Sequence, residues 1–210
     1  MTDVSSKTCN IIPSLFAADP LHYFDALKAV EQAGLNRIHL DIMDGHFVPN
    51  ISFGSNVVAS VVKATPTLLC DVHLMVCEPQ RWIEPFVKNG AKRLFIHIEL
   101  ASDVLKETVR RLQSENIEWG FAVNPETSID ILQTYREVLL RTRSLLLMSV
   151  HPGFCGQTFI ENTFERVKEV RTRFPHLKIC TDGGIRKQEA RQLQALGVES
   201  VVMGSAFFKD

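Results

Sequence analysis

The sequence has no apolar run long enough to cross a bilayer, which excludes a membrane-spanning helix. It has no dense run of lysine or arginine, and its formal net charge is −1, so no basic nucleic-acid surface is expected. Met1 to Asn10 is polar and lacks the apolar core of a signal peptide. The five cysteines, Cys9, Cys70, Cys77, Cys155 and Cys180, are odd in number, scattered, and form no CxxC pair. That argues against a disulfide framework and against a cysteine-rich structural zinc site. Reduced thiols in a cytoplasmic protein are the expectation. No linker or low-complexity segment interrupts the chain, so residues 1–210 are expected to form a single domain. With 45% hydrophobic residues over 210 positions, that domain can bury a full core.

What is present is a regular alternation of short apolar runs and amphipathic stretches. Strands are expected at Asn10 to Leu15, Arg37 to Ile42, Leu68 to Leu74, Leu94 to Ile98, Trp119 to Val123, Ser144 to Val150, Lys178 to Thr181 and Ser200 to Met203. Helices are expected between them: Leu21 to Gln32, Asn56 to Lys63, Pro79 to Lys88, Ser102 to Glu115, Thr127 to about Tyr135, Glu161 to Arg173 and Lys187 to Leu196. Strands separated by helices predict a parallel sheet in an α/β fold, and eight of them close it into a (β/α)8 TIM barrel. An open doubly wound sheet is the alternative, but no GxGxxG follows the first strand.

A barrel of this kind carries its functional residues at the C-terminal ends of its strands. There the chain places His39 and Asp41, two residues apart and therefore on one face of a strand. Asp71, His73 and Met75 alternate in the same way on the third strand, His97 and Glu99 end the fourth, and Asp182 ends the seventh. His39, Asp41, His73 and Asp182 make a mixed nitrogen and oxygen donor set, suited to one divalent ion such as Zn2+, Fe2+, Mn2+ or Co2+. Such a set suits Ca2+ poorly, because Ca2+ takes more oxygen ligands.

Glycines cluster after three consecutive strands, at Gly153-Phe154-Cys155-Gly156, Gly183-Gly184 and Gly204-Ser205. Glycine lets main-chain amides approach and surround an anion, and barrels of this class place phosphate at the loops after strands seven and eight. Arg186 is the one positive charge expected to add to the glycine loops, so backbone amides are expected to do most of the holding.

These residues carry a resemblance over nearly the whole chain. Pro13-Ser14-Leu15, the run from His39 to Asn50, Asp71 to Met75, Met148 to Phe154, Asp182 to Ile185 and Gly204-Ser205-Ala206 are similar to the motifs of the ribulose-phosphate 3-epimerase family. The resemblance implies a metal-dependent isomerase that interconverts D-ribulose 5-phosphate and D-xylulose 5-phosphate through an enediolate. It implies metal ligands at His39, Asp41, His73 and Asp182, with Asp41 and Asp182 also the catalytic acid/base pair. It implies substrate contacts from Ser14, His73 and the three glycine loops. A 3-epimerase of a six-carbon ketose phosphate, such as allulose 6-phosphate, would share the metal and both aspartates. A non-catalytic phosphosugar-binding barrel would have no need of them. An aldolase-type barrel is disfavoured, since no lysine ends a strand.

Three departures from the family pattern stand out. Cys155 replaces a usual glycine and should narrow its loop. His97-Ile98-Glu99 replaces a common His-Pro-Glu. The chain stops at Asp210, so the eighth helix is expected to be short or missing. The outward side chains of the last strand, drawn from Val201, Val202 and Met203, should then be partly bare, with Phe207 and Phe208 folded back as a partial plug. Such a flank predicts either a homo-oligomer or a chain shorter than the natural one.

Overall fold

Each apolar run becomes a strand because its alternate residues have two surfaces to fill: the barrel interior and the layer of helices outside it. The structure, a computed structural model, describes residues 10–208. Its strands are β1 (Asn10–Pro13), β2 (Arg37–Met43), β3 (Leu69–Met75), β4 (Ala91–His97), β5 (Glu118–Val123), β6 (Ser144–Met148), β7 (Lys178–Asp182) and β8 (Ser200–Met203). They run parallel in the order β1-β8-β7-β6-β5-β4-β3-β2, and a bridge between Ser14 and His39 joins the two ends into a ring. The helices between them are α1 (Tyr23–Gln32), α2 (Ser55–Ala64), α3 (Ile83–Lys88), α4 (Ser102–Ser114), α5 (Ile131–Thr134), α6 (Arg136–Thr142), α7 (Thr163–Arg173), α8 (Lys187–Ala195) and α9 (Ser205–Phe208). The (β/α)8 architecture expected from the alternation is the one observed.

Inside the ring, Ile12, Phe95, Ala122, Leu146, Met148, Cys180 and Val202 form one packed cluster. Below it, toward the strands' N-terminal ends, Asp71 is fully buried and ion-paired with both Arg37 and Arg93. Asp71 is therefore a lower-layer residue, not one of the mouth. The larger core lies outside the sheet, where Ile38, Leu40, Val72, Leu74, Leu94 and Ile96 meet the helices.

Two expectations are corrected. The segment between β5 and β6 holds two short helices, α5 and α6, where one ending near Tyr135 was expected. The chain breaks at Tyr135 (φ −110°, ψ 20°) and resumes, and Arg143 in the left-handed region ends α6. Leu132, Tyr135 and Leu139 keep a helical apolar spacing through the break, and that signal would have found α6. The flank at β8 is also not bare: Val201, Val202 and Met203 are all buried. Val202 faces the barrel interior, while Val201 and Met203 join the outer core. The closing helix is short as expected, and Phe207 and Phe208, edge to face at 4.9 Å, pack against that core. Lys209, Asp210 and Cys9 lie outside the described residues. No described helix is long and apolar enough to cross a membrane.

Candidate active site

Strand β2 ends in the loop that shapes the mouth. Ser52 Oγ donates to the Asp41 carbonyl at 2.6 Å and accepts from the Met43 amide at 2.9 Å, tying the loop's return to the strand end. The Asp44 carboxylate accepts from the amides of His46 and Phe47 within the loop and of Cys77 in the next one, each at 2.8 Å. Gly45, at φ +76°, makes the turn, and Asn50 donates to the Gly153 carbonyl at 2.7 Å. Asp44 and Asn50 thus clamp three loops together.

The clamped loops surround a cleft of about 290 Å3 at the C-terminal ends of the strands. Asp41 and Asp182 lie in its floor, Ser14 beside Asp41, and Met43, Met75 and Met148 along its wall. The glycine segments 153–156, 183–184 and 204–205, with Arg186, also line it. Phe154 is half exposed on this rim, and Cys155 is exposed beside it. Ser149 Oγ donates to the carbonyls of Asp182 (2.8 Å) and Gly183 (2.6 Å), which fixes the end of β7.

His39, Asp41, His73 and Asp182 come together as expected: each offers a ligand atom, and these atoms lie within 4.8 Å of one another. Both histidines are fully buried, beneath the cleft rather than lining it. Ser14 Oγ donates to Asp41 Oδ2 at 2.6 Å. His73 Nδ1 lies 3.2 Å from Asp41 Oδ1 and 3.6 Å from Asp182 Oδ2. His39 Nε2 lies 3.2 Å from Asp41 Oδ1 and 3.5 Å from Asp182 Oδ2, yet has no hydrogen-bond partner. A buried ring nitrogen without a partner, facing two carboxylates, fits a metal ligand, and this group could hold a metal ion.

Two residues that the sequence marks only as polar strand ends stand behind the cluster. His97 Nε2 lies 2.9 Å from His73 Nε2, and His97 Nδ1 lies 2.9 Å from Glu99 Oε2. Their alternation on β4, which points His97 inward beside His73, was the available signal.

Burial works against a charge on His39, but Asp41 and Asp182 outweigh it and raise the imidazole to about 10. His73 is raised as well: burial opposes its charge, and the same two carboxylates prevail. Burial likewise opposes the Asp41 charge, and the two imidazoles outweigh it and hold the carboxyl far below its usual range. The signs give a pH window for the metal-free protein. His39, raised from 6.5 to about 10, adds stability that is complete below pH 6.5 and lost as pH climbs toward 10. Asp41 adds stability above pH 3.8 that is lost on acidification. The metal-free protein should therefore lose of the order of 10 °C in Tm between pH 6.5 and 10. A zinc-loaded sample, in which ligand imidazoles are neutral, should lose much less over the same range. Paired thermal melts check this, and parallel curves would contradict the charge assignment.

Comparison with known proteins bears on this arrangement. The family model described as the ribulose-phosphate 3 epimerase family matches residues 10–208. A ribulose-phosphate 3-epimerase from Chlamydia muridarum is 40% identical over 205 residues, covering 95% of this chain and 88% of the relative. One from Bacillus subtilis is 37% identical over 203 residues, covering 94% and 91%. A cytoplasmic isoform from Oryza sativa is 32% identical over 204 residues, covering 97% and 89%. Among solved structures, an N-acetylmannosamine-6-phosphate 2-epimerase from Clostridium perfringens superposes with a TM-score of 0.70 at 14% identity, covering 95% of this chain and 88% of that one. At that identity the likeness shows the barrel fold alone.

Proposed function

The chain belongs to the ribulose-phosphate 3-epimerase family, and from that membership we propose that it interconverts D-ribulose 5-phosphate and D-xylulose 5-phosphate by inverting C3. The observation that carries this reading is that Asp41, Asp182 and three glycine loops line one cleft. Asp41 rises from β2 and Asp182 from β7, with β1 and β8 between them in the ring. A flat intermediate lying in the cleft would have one carboxyl on each face.

The C3 proton is acidic because C3 neighbours a ketone. One aspartate takes that proton, and the C–H electron pair passes into an enediolate. The other aspartate, entering as its acid, gives C3 a proton on the opposite face, and the ketone re-forms with inverted configuration. In the reverse reaction the two exchange roles. Ser14 orients Asp41 by its hydrogen bond. Met43, Met75 and Met148 keep water from quenching the intermediate. A divalent ion bound by His39, Asp41, His73 and Asp182 supplies a Lewis acid for the negative charge that develops beside C3. The donor set supports Zn2+, Fe2+, Mn2+ or Co2+ as that ion.

The substrate's phosphate lies against Gly153 to Gly156, Gly183-Gly184 and Gly204-Ser205, held largely by main-chain amides. Gly184 tests this. Its φ is +66°, and a Cβ there would come 2.5 Å from the Phe159 nitrogen. Gly184→Ala should cost of the order of 1–3 kcal/mol of stability. It should raise KM about tenfold or more, the equivalent of about 1.4 kcal/mol of lost binding. Steady-state kinetics and a melt measure both, and an unchanged KM would move the phosphate elsewhere.

A cytoplasmic location is part of the proposal, supported by the thiols Cys70, Cys77 and Cys180 and the name of the rice relative. Association of copies is also part of it, supported by the exposed Leu21, Phe24 and Ile51. A constant monomer mass by light scattering across a concentration series would overturn that element. The activity itself is tested by following D-ribulose 5-phosphate conversion in the metal-loaded protein. No epimerisation overturns the reading, and a higher kcat/KM for allulose 6-phosphate would assign the six-carbon substrate.

A further inference from the structure

We propose that Glu99 and His97 are positioning residues that set the tautomer of His73, so that its Nδ1 is the nitrogen available to a metal ion shared with His39, Asp41 and Asp182. The inference rests on the metal-dependent reading above and deepens it. It follows from counting protons along one chain of contacts.

Both oxygens of Glu99 act as acceptors. Oε1 takes the Asn124 amide hydrogen at 2.7 Å, and Oε2 lies 2.9 Å from His97 Nδ1. A carboxylate has no proton to give, so His97 Nδ1 must carry the hydrogen. The other nitrogen of that neutral ring, Nε2, is then an acceptor. It faces His73 Nε2 at 2.9 Å, which must donate, because two lone pairs would repel at that distance. The ring centroids are 5.0 Å apart and the planes differ by 27°, so the rings meet nitrogen to nitrogen, end on. Without an ion, Nδ1 also carries a hydrogen toward Asp41 (3.2 Å) and Asp182 (3.6 Å); with its other hydrogen fixed on Nε2, Nδ1 is the nitrogen that gives up its proton and turns a lone pair to a bound ion. Reversing any one proton sets two acceptors or two donors against each other.

The far end of the chain is anchored. The amide of Asn124 holds Glu99, and buried Arg166 on α7 donates to the carbonyls of Asn124 (2.8 Å) and Thr127 (2.9 Å). Phe47 packs on the His97 ring with centroids 4.7 Å apart. The ligand orientation is thereby tied to the helix layer outside the barrel. Partners of this kind are worth 10- to 100-fold in metal affinity.

Glu99→Gln separates positioning from packing. The amide is isosteric, but its oxygen must face the Asn124 amide hydrogen, which turns its NH2 toward His97 Nδ1. The chain of hydrogens is then reversed or broken, with no loss of volume. The experiment compares wild type, Glu99→Gln and His97→Phe by zinc competition titration and by 15N NMR of the histidine rings. Zinc affinity should fall about 10- to 100-fold in both variants. Wild-type His97 should carry its hydrogen on Nδ1 and zinc-loaded His73 on Nε2, and Glu99→Gln should displace the His97 hydrogen. If His97→Phe fails to fold, Glu99→Gln alone decides. Unchanged zinc affinity and an unchanged His97 tautomer in Glu99→Gln overturn the inference while leaving the metal reading intact. A wild-type chain that takes up no zinc overturns that reading, and this inference with it.

Discussion

Asp41→Asn and Asp182→Asn should each lower kcat by about 10³-fold or more while the protein stays folded. Each amide has nearly the volume of the acid it replaces, and each position is almost wholly buried, so packing is preserved. What is lost is a proton acceptor on one face of the intermediate, and the aspartate on the other face cannot reach across. The prediction has a sharper form in deuterated water. A variant with one working aspartate can still remove the C3 proton from one epimer and return a deuteron to the same face. It should therefore exchange the hydrogen of one substrate, not the other, without inverting it. The two variants should show opposite preferences. Because both aspartates also belong to the ligand cluster, metal content must be measured alongside, and only variants that retain the ion are compared. Substantial epimerisation by either metal-loaded variant would defeat the two-base assignment.

The aspartates and their histidine neighbours were legible in the sequence for a definite reason. A strand that is polar on alternate positions normally turns that face to water, but β2 and β3 are buried on both faces. In a barrel, His39, Asp41 and His73 can then only point inward, and the end of β7 brings Asp182 to the same level. Period-two spacing and a count of eight strands sufficed. The relay through His97 and Glu99 was not legible in that way. It depends on the separation of two imidazole edges from neighbouring strands, and β3 pairs with β4 across a register shift near Cys70 and Asp71. The residues were visible, but not which nitrogen faced which. Asp71 shows the opposite failure. It shares His73's alternation, yet it sits one layer down against Arg37 and Arg93, a depth that periodicity does not report. The flank at β8 was misjudged because helix length alone does not decide coverage. Phe207 and Phe208, both half-buried, pack against the core that holds Val201 and Met203.

Removing the metal should abolish turnover, and His39→Ala and His73→Ala should lower metal content and kcat together. Taking a proton from C3 leaves negative charge on the adjoining oxygens, inside a cleft whose lining includes three methionines and where that charge is solvated less well than in bulk water. Among the described residues lining the cleft, Arg186 is the only cationic side chain, and it follows directly on the Gly183-Gly184 loop. Protein donors near C3 are few: Ser14 Oγ is already committed to Asp41. Charge stabilisation of several kcal/mol must come from the ligand cluster, so its loss should cost at least about 10²-fold in kcat. Each histidine should matter by a different route. His39 faces only the two carboxylates, so its removal subtracts a ligand and, in the metal-free protein, its ion pairs with Asp41 and Asp182. Removing His73 also strands His97 Nε2 in the core, which should add a stability loss of about 1–3 kcal/mol that His39→Ala lacks. Elemental analysis should find about one divalent ion per wild-type chain and much less in either variant. Chelation followed by addition of Zn2+, Fe2+, Mn2+ or Co2+ should restore the wild type and identify the ion that serves best. A wild-type protein that is metal-free by elemental analysis and fully active would show that the cluster stabilises the enediolate by its own charges alone.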